Sequence, residues 1–138
     1  MSGPYVYIGS YTVKSGRQDE ARERCGQLVE LVQEKEPRLI SFNIYLDDEA
    51  TQLSVVQVHP DAESMEWHLE VVAEHIATSF ESFLGSTVYE HTFGRPTESL
   101  TRTLLQWADP GASATSMPDH VAGFTRSSVP SPASASSP

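Results

Sequence analysis

The pattern of apolar and polar positions divides the chain into segments of period two and period 3.6. Tyr5 to Val13 is rich in β-branched and aromatic residues, which predicts a strand. Ser15 with Gln18 three residues on forms a capping-box pattern, so a helix is expected after Lys14-Ser15-Gly16. Ala21, Cys25, Leu28 and Val32 then make one apolar stripe, and Glu36-Pro37 ends it, since the residue before Pro avoids the α region. Leu39 to Leu46 reads as a second strand with Ile40, Phe42, Ile44 and Leu46 on one side and Ser41, Asn43 and Tyr45 on the other. The polar turn Asp47 to Thr51 leads into a third strand, Gln52 to His59, as a hairpin. Asp61 is placed to cap a second helix whose buried stripe is Met65, Leu69, Val72, Ile76 and Phe80. Gly85 breaks the chain, Thr87 to Phe93 is a fourth strand, and Thr97 caps a last helix with Leu100, Leu104 and Trp107 on one side.

The order β-α-β-β-α-β plus a terminal helix predicts an α+β, ferredoxin-like fold with an antiparallel sheet and both helices on one face. Tyr5, Tyr7, Tyr11 and Tyr45 are too many large side chains to leave wet. We expect them on the helix-free face, buried by a second copy in a C2 homodimer.

Composition changes at Asp109-Pro110-Gly111. The domain is expected to span residues 1–108, and the tail 109–138, in which 18 of 30 residues are Pro, Ser or Ala, is expected to be mostly disordered. The island His120 to Arg126 reads either as loose tail or as a strap that docks Phe124 on the domain or on a partner subunit.

Charge and cysteine count narrow the partners. The 138 residues include 19 Asp+Glu against 9 Lys+Arg, a net charge of −10, which disfavours nucleic acid and anionic membranes. No apolar run approaches the ~20 residues of a membrane span, and the N-terminus lacks the basic start and apolar stretch of a secretory signal. The lone Cys25 cannot form an internal disulfide, which favours a reducing compartment. A cytoplasmic location is expected. Cys25 itself reads as an inert core residue.

The run Tyr11-Thr12-Val13-Lys14-Ser15-Gly16, the Glu-rich first helix, Pro37 to Phe42 and His68-Leu69 resemble the antibiotic biosynthesis monooxygenase domain family over roughly residues 5–93. The resemblance implies a dimeric α+β barrel with a pocket between helices and sheet in each subunit. It also implies a cofactor-independent monooxygenase acting on a small aromatic or quinol-type compound; the family includes haem-degrading enzymes as well. Such an oxygenase needs a base, a donor for the resulting oxyanion and a dry pocket. Some members use an Asn and a Trp near the end of the third strand, where this chain has Ser54 and Val58. Haem-degrading members use an Asn in the first strand, which is absent here, with a Trp and a His in the second-helix region.

The candidate groups follow from residue chemistry. His75 has a side chain whose ordinary pKa suits a base at neutral pH, against the alternative of an exposed helix His beside Glu74. His68, two turns earlier on a similar face, matches the family position best, and His75 and His68 are the catalytic candidates. Trp67 either covers the pocket or packs at the core edge; His59 points into a cleft or merely flanks a turn. Asn43 and Tyr45 complete the substrate-binding candidates. They supply donors only if the strand alternation turns them toward the helices; otherwise they face a dimer partner. The spacings of nine and seven between His59, His68 and His75 fit no helical i,i+4 ligand pair, so no metal is expected; the glycines form no phosphate-binding pattern, and with the resemblance to cofactor-independent oxygenases no cofactor is expected. The alternative to an enzyme is a non-catalytic dimeric binding or structural module on the same fold.

Overall fold

The computed structural model describes residues 3–126. Its elements are β1 (Tyr5–Val13), α1 (Gln18–Lys35), β2 (Ser41–Leu46), β3 (Gln52–His59), α2 (Ala62–Ser82), β4 (Leu84–Phe93), α3 (Glu98–Trp107) and β5 (Ser113–Met117). The sheet order is β2-β3-β1-β4-β5. The first four strands are mutually antiparallel in the ferredoxin-like arrangement, and β5 joins β4 in parallel, making the sheet mixed.

Local chemistry explains most boundaries. Asp61 caps α2 by accepting from the Ser64 backbone N–H at 3.0 Å, and Thr97 caps α3 by accepting from Leu100 N–H at 3.1 Å. Pro37 follows Glu36, which closes α1. Ser15 does not cap α1. Gly16 takes φ +81°, the turn runs on to Arg17, and the helix starts at Gln18 without a side-chain cap. Gly85 does not break the chain before β4 but lies within it, against the Thr12 side chain, where a Cβ would not fit. β5, five exposed residues within the Pro/Ser/Ala-rich tail, carries no apolar alternation to announce it. The expectation of disorder over Pro130 to Pro138 lies outside the described residues.

The tyrosines require a correction. Register places Tyr5, Tyr7, Gly9, Tyr11 and Val13 on the same side as Leu53, Val55, Gln57 and His59, and this is the helix side. Tyr5 and Tyr7 are buried with Met65, Leu69 and Leu100, and Tyr11 meets Phe80 edge-on at 5.7 Å. Of the four, Tyr45 alone is on the helix-free face, where it is exposed. The β1 alternation therefore runs opposite to the expected one, because the tyrosines fill space under the helices that smaller side chains would leave open. The helix-free face carries Val6, Ile8, Val56 and Val58 instead. Phe124 and Val121 are exposed, so the segment His120 to Arg126 does not dock its apolar side chains on the domain.

Candidate functional site

Between α1, α2 and the sheet lies a cavity of about 410 Å³, within the range of roughly 300–1,000 Å³ typical of small-molecule sites. Its walls are largely aliphatic and aromatic: Leu28 from α1, Leu69, Val72, Ile76 and Phe80 from α2, Phe42, Ile44, Leu53 and Val55 from the sheet, and Trp107 closing from α3. No Lys or Arg lines it, and Glu90 is its one carboxylate among the described residues.

His68 lines this cavity from α2. Its Nδ1 faces both carboxylate oxygens of Glu36, at 2.8 and 3.0 Å. Both side chains are almost fully enclosed, His68 at 3% exposure and Glu36 at 1%. Glu36 reaches inward because α1 ends there: Pro37 stops the helix, and the last residue before it turns its side chain beneath the α2 wall. With Nδ1–H donated to the carboxylate, Nε2 is the nitrogen left to a ligand. This carboxylate–imidazole arrangement fixes ring orientation and tautomer together. The ring is further held by Phe42, with centroids 5.3 Å apart, and by the edge of His59 at 5.6 Å.

His59 is fully buried behind the wall rather than in the cavity. Its Nδ1 meets Ser64 Oγ and its Nε2 meets Gln57 Oε1, each at 2.7 Å. Burial, with the nearby His68 adding to it, depresses its pKa to about 3, so the ring is neutral and does not act as an acid or base near neutrality. Gln57, adjacent to Tyr7 across the β1–β3 pair, is the residue that reaches the cavity.

A second polar group lies on the sheet floor. Tyr7 Oη donates to Glu90 and lies 3.1 Å from Tyr11 Oη. Burial, together with the neighbouring Tyr11 and Glu90, raises the Tyr7 pKa well above its ordinary value; burial raises that of Tyr11 to about 12. Both remain protonated at neutral pH. Because Tyr7 spends its proton on Glu90, Tyr11 is the donor between the two hydroxyls.

The other candidates divide between the border of this cavity and the outer surfaces. The His75 ring borders the cavity, with Nδ1 3.3 Å from Ser79 Oγ, but its Nε2 is buried without a partner. Burial and then the charge of Arg24 on α1 lower its pKa. Trp67 is half exposed on the outer side of α2 and donates its indole N–H to Lys35 O at 3.0 Å; it lines a shallow groove with Glu63, Glu66 and Glu70, not the cavity. Asn43 and Tyr45 pair with Val56 and Ser54 on the helix-free face, so they do not reach the cavity of their own chain. Ser54 and Val58 share that face. Cys25 lines the cavity, and burial raises its thiol pKa to about 11, so it stays a thiol.

The arrangement thus brings His68 and His59 into ring contact, sets His75 on the border of the same cavity as His68, and separates them from Asn43, Tyr45 and Trp67. Glu36, Gln57 and Glu90 were not singled out as site residues by sequence reasoning, and Tyr7 and Tyr11 were expected on a dimer face instead. Glu36 looked like a helix stop and Gln57 like the polar half of a strand alternation; a Glu before Pro, one helix upstream of a buried His, was the available signal.

Comparison with known proteins accords with this architecture. The profile of the family described as antibiotic biosynthesis monooxygenase matches residues 4–73, half of the chain. The chain belongs to the antibiotic biosynthesis monooxygenase family. No curated protein matches it. Among solved structures, MupZ from Pseudomonas fluorescens is similar with TM-score 0.69 at 17% identity, over 92% of this chain and 98% of that one. Rv0793 from Mycobacterium tuberculosis gives TM-score 0.58 at 11% identity over 70% and 99% of the two chains. Protein SO0527 from Shewanella oneidensis gives 0.57 at 15% identity over 65% and 88%. At these identities the likeness is one of fold. Within the antibiotic biosynthesis monooxygenase family match lie β1, Glu36, Gln57 and His68, while Tyr-paired Glu90 and cavity-closing Trp107 fall beyond it. Among the described residues no helix is long and apolar enough to cross a membrane.

Proposed function

We propose that this protein is a cofactor-independent monooxygenase of a small, flat, hydroxyl-bearing aromatic compound bound in the 410 Å³ cavity. The observation that carries this reading is the enclosed Glu36–His68 pair beside a largely apolar cavity, with Nε2 left to the ligand. A phenolic O–H bonded to Nε2 gives up its proton to His68, and the imidazolium formed is compensated by the Glu36 carboxylate. The resulting anion is electron-rich and is the species that reacts with dioxygen. In balance, a phenol and O₂ give a quinone and water: one oxygen joins the carbon para to the hydroxyl, and the other leaves with that carbon's hydrogen and the hydroxyl hydrogen. The apolar walls exclude bulk water from the anion.

Aerobic and anaerobic incubation with a panel of phenols and naphthols that keep a hydrogen para to the hydroxyl tests the reading. We expect oxygen-dependent quinone formation that falls at least tenfold in His68→Gln, in line with the roughly 10²–10⁴-fold contribution of a positioned base. Tight binding of the panel without any oxygen-dependent product would leave a binding module instead of an enzyme.

We also propose that two copies pair through the helix-free faces, covering Val6, Ile8, Val56, Val58 and the exposed Tyr45. Light scattering behind size exclusion should give twice the 15.2 kDa chain mass; a monomer at micromolar concentration would refute it.

A further inference from the structure

We propose that Gln57 is the group that holds the ligand oxyanion, and that the buried pair Ser64–His59 serves to turn its amide N–H₂ toward the cavity. This rests on the reading that His68 deprotonates a bound hydroxyl.

The argument is one of hydrogen accounting. Ser64, 4% exposed, makes one side-chain hydrogen bond, to His59 Nδ1 at 2.7 Å. A buried hydroxyl with one partner donates to it, because an undonated O–H in an enclosed site is costly. His59 therefore accepts at Nδ1. A neutral imidazole has one proton, so it resides on Nε2 and is donated to Gln57 Oε1 at 2.7 Å. The amide oxygen is thereby committed inward. The amide nitrogen makes no bond within the described chain and is not among its buried unpartnered atoms, and Gln57 lines the cavity. It presents two N–H donors there.

Gln57 is paired with Phe42 across β2 and β3, and His59 and Phe42 both flank the His68 ring. One acceptor of the cavity, His68 Nε2, and one free donor, Gln57 Nε2, thus both belong to side chains that flank Phe42. In the step proposed, the ligand O–H bond breaks and a His68 N–H bond forms; the electron pair stays on the ligand oxygen, which Gln57 then holds by a charge-assisted N–H···O⁻ bond. Among the described residues no Lys or Arg lines the cavity to do this. The chain Ser64–His59–Gln57 makes the donor an orientation-fixed one, and His59 and Ser64 are positioning residues.

The test uses 7-hydroxycoumarin, whose neutral and anionic forms absorb at different wavelengths, and 7-methoxycoumarin, which does not ionise. In the full chain, the bound hydroxycoumarin is expected to ionise at lower pH than the free dye. Gln57→Leu should reduce the bound anion-to-neutral ratio roughly tenfold, about one pH unit in the bound titration, while 7-methoxycoumarin affinity stays within twofold. The near-isosteric Gln57→Glu should move it further in the same direction. Ser64→Ala should move it part of the way, since nothing then keeps the His59 proton on Nε2. An unchanged bound titration in Gln57→Leu overturns the Gln57 assignment alone. Equal loss of both coumarins in that variant overturns it too, as it reports a packing role. Failure of either coumarin to bind the wild-type chain overturns the cavity reading and this inference with it.

Discussion

Lowering the pH from 7 to 5 should weaken this fold through His59, and the size of the effect can be worked out. The ring is fully buried, its pKa is about 3, and in the unfolded chain it returns to about 6.5. Below pH 6.5 the unfolded chain binds a proton that the folded chain refuses, so stability falls as pH drops toward 3. At pH 5 the gap between pH and the unfolded value is 1.5 units, and at 1.36 kcal/mol per unit the loss relative to pH 7 is about 2 kcal/mol. Most carboxylates titrate lower, so this window is comparatively free of them. His75, whose pKa burial and Arg24 also depress, adds in the same direction. Urea unfolding followed by far-UV circular dichroism at both pH values measures the difference. His59→Gln, which keeps a polar side chain in contact with Ser64 and Gln57 but does not titrate, should shrink the pH effect by about 2 kcal/mol. Equal stability of the wild-type chain at pH 5 and 7, or the same pH effect in the variant, would refute the buried, neutral imidazole.

Other perturbations probe the same walls. Glu36→Ala leaves His68 Nδ1–H enclosed without an acceptor and should cost about 1–3 kcal/mol in urea unfolding, whereas Glu36→Gln keeps an acceptor and should unfold near wild type yet lower any quinone-forming rate. Gly9→Ala would place a Cβ 2.5 Å from Tyr11 Oη and 2.9 Å from Tyr7 Cε1. It should destabilise by about 1–3 kcal/mol and, by spectrophotometric titration, ease ionisation of at least one tyrosine as the hydroxyl pair is wedged apart. Asp61→Ala removes the α2 cap and the Arg38 partner, and a thermal melt should show a loss of about 1 kcal/mol.

The order of elements was legible because each has a local cause. β-Branched and aromatic content marked β1, alternation marked β2 and the polar turn after it led to β3, the 3.6-residue stripes marked the helices, and Asp61, Thr97 and Pro37 marked their ends through hydrogen bonds and sterics that act within a few residues. The identity of the buried face of β1 was not legible. Tyr5-Val6-Tyr7-Ile8 alternates two side chains that are both apolar enough to be inside, and only the volume beneath α2 decides that the larger set goes in. β5 was equally hidden, since Ser113 to Met117 earns its place by pairing with β4 and not by any burial of its own.

The candidate site divides along the same line. His68 entered as the position that matches the family resemblance best, and it lines the cavity. That its partner is Glu36, that His59 stands behind Gln57, and that Asn43 and Tyr45 lie across the sheet are facts of tertiary placement. A carboxylate 32 residues away along the chain becomes a neighbour only when α1 is laid beside α2. Sequence determined which segments coil and which extend, because those preferences are short-ranged. Packing alone decided which polar atoms share an enclosure, because that depends on where whole elements come to rest.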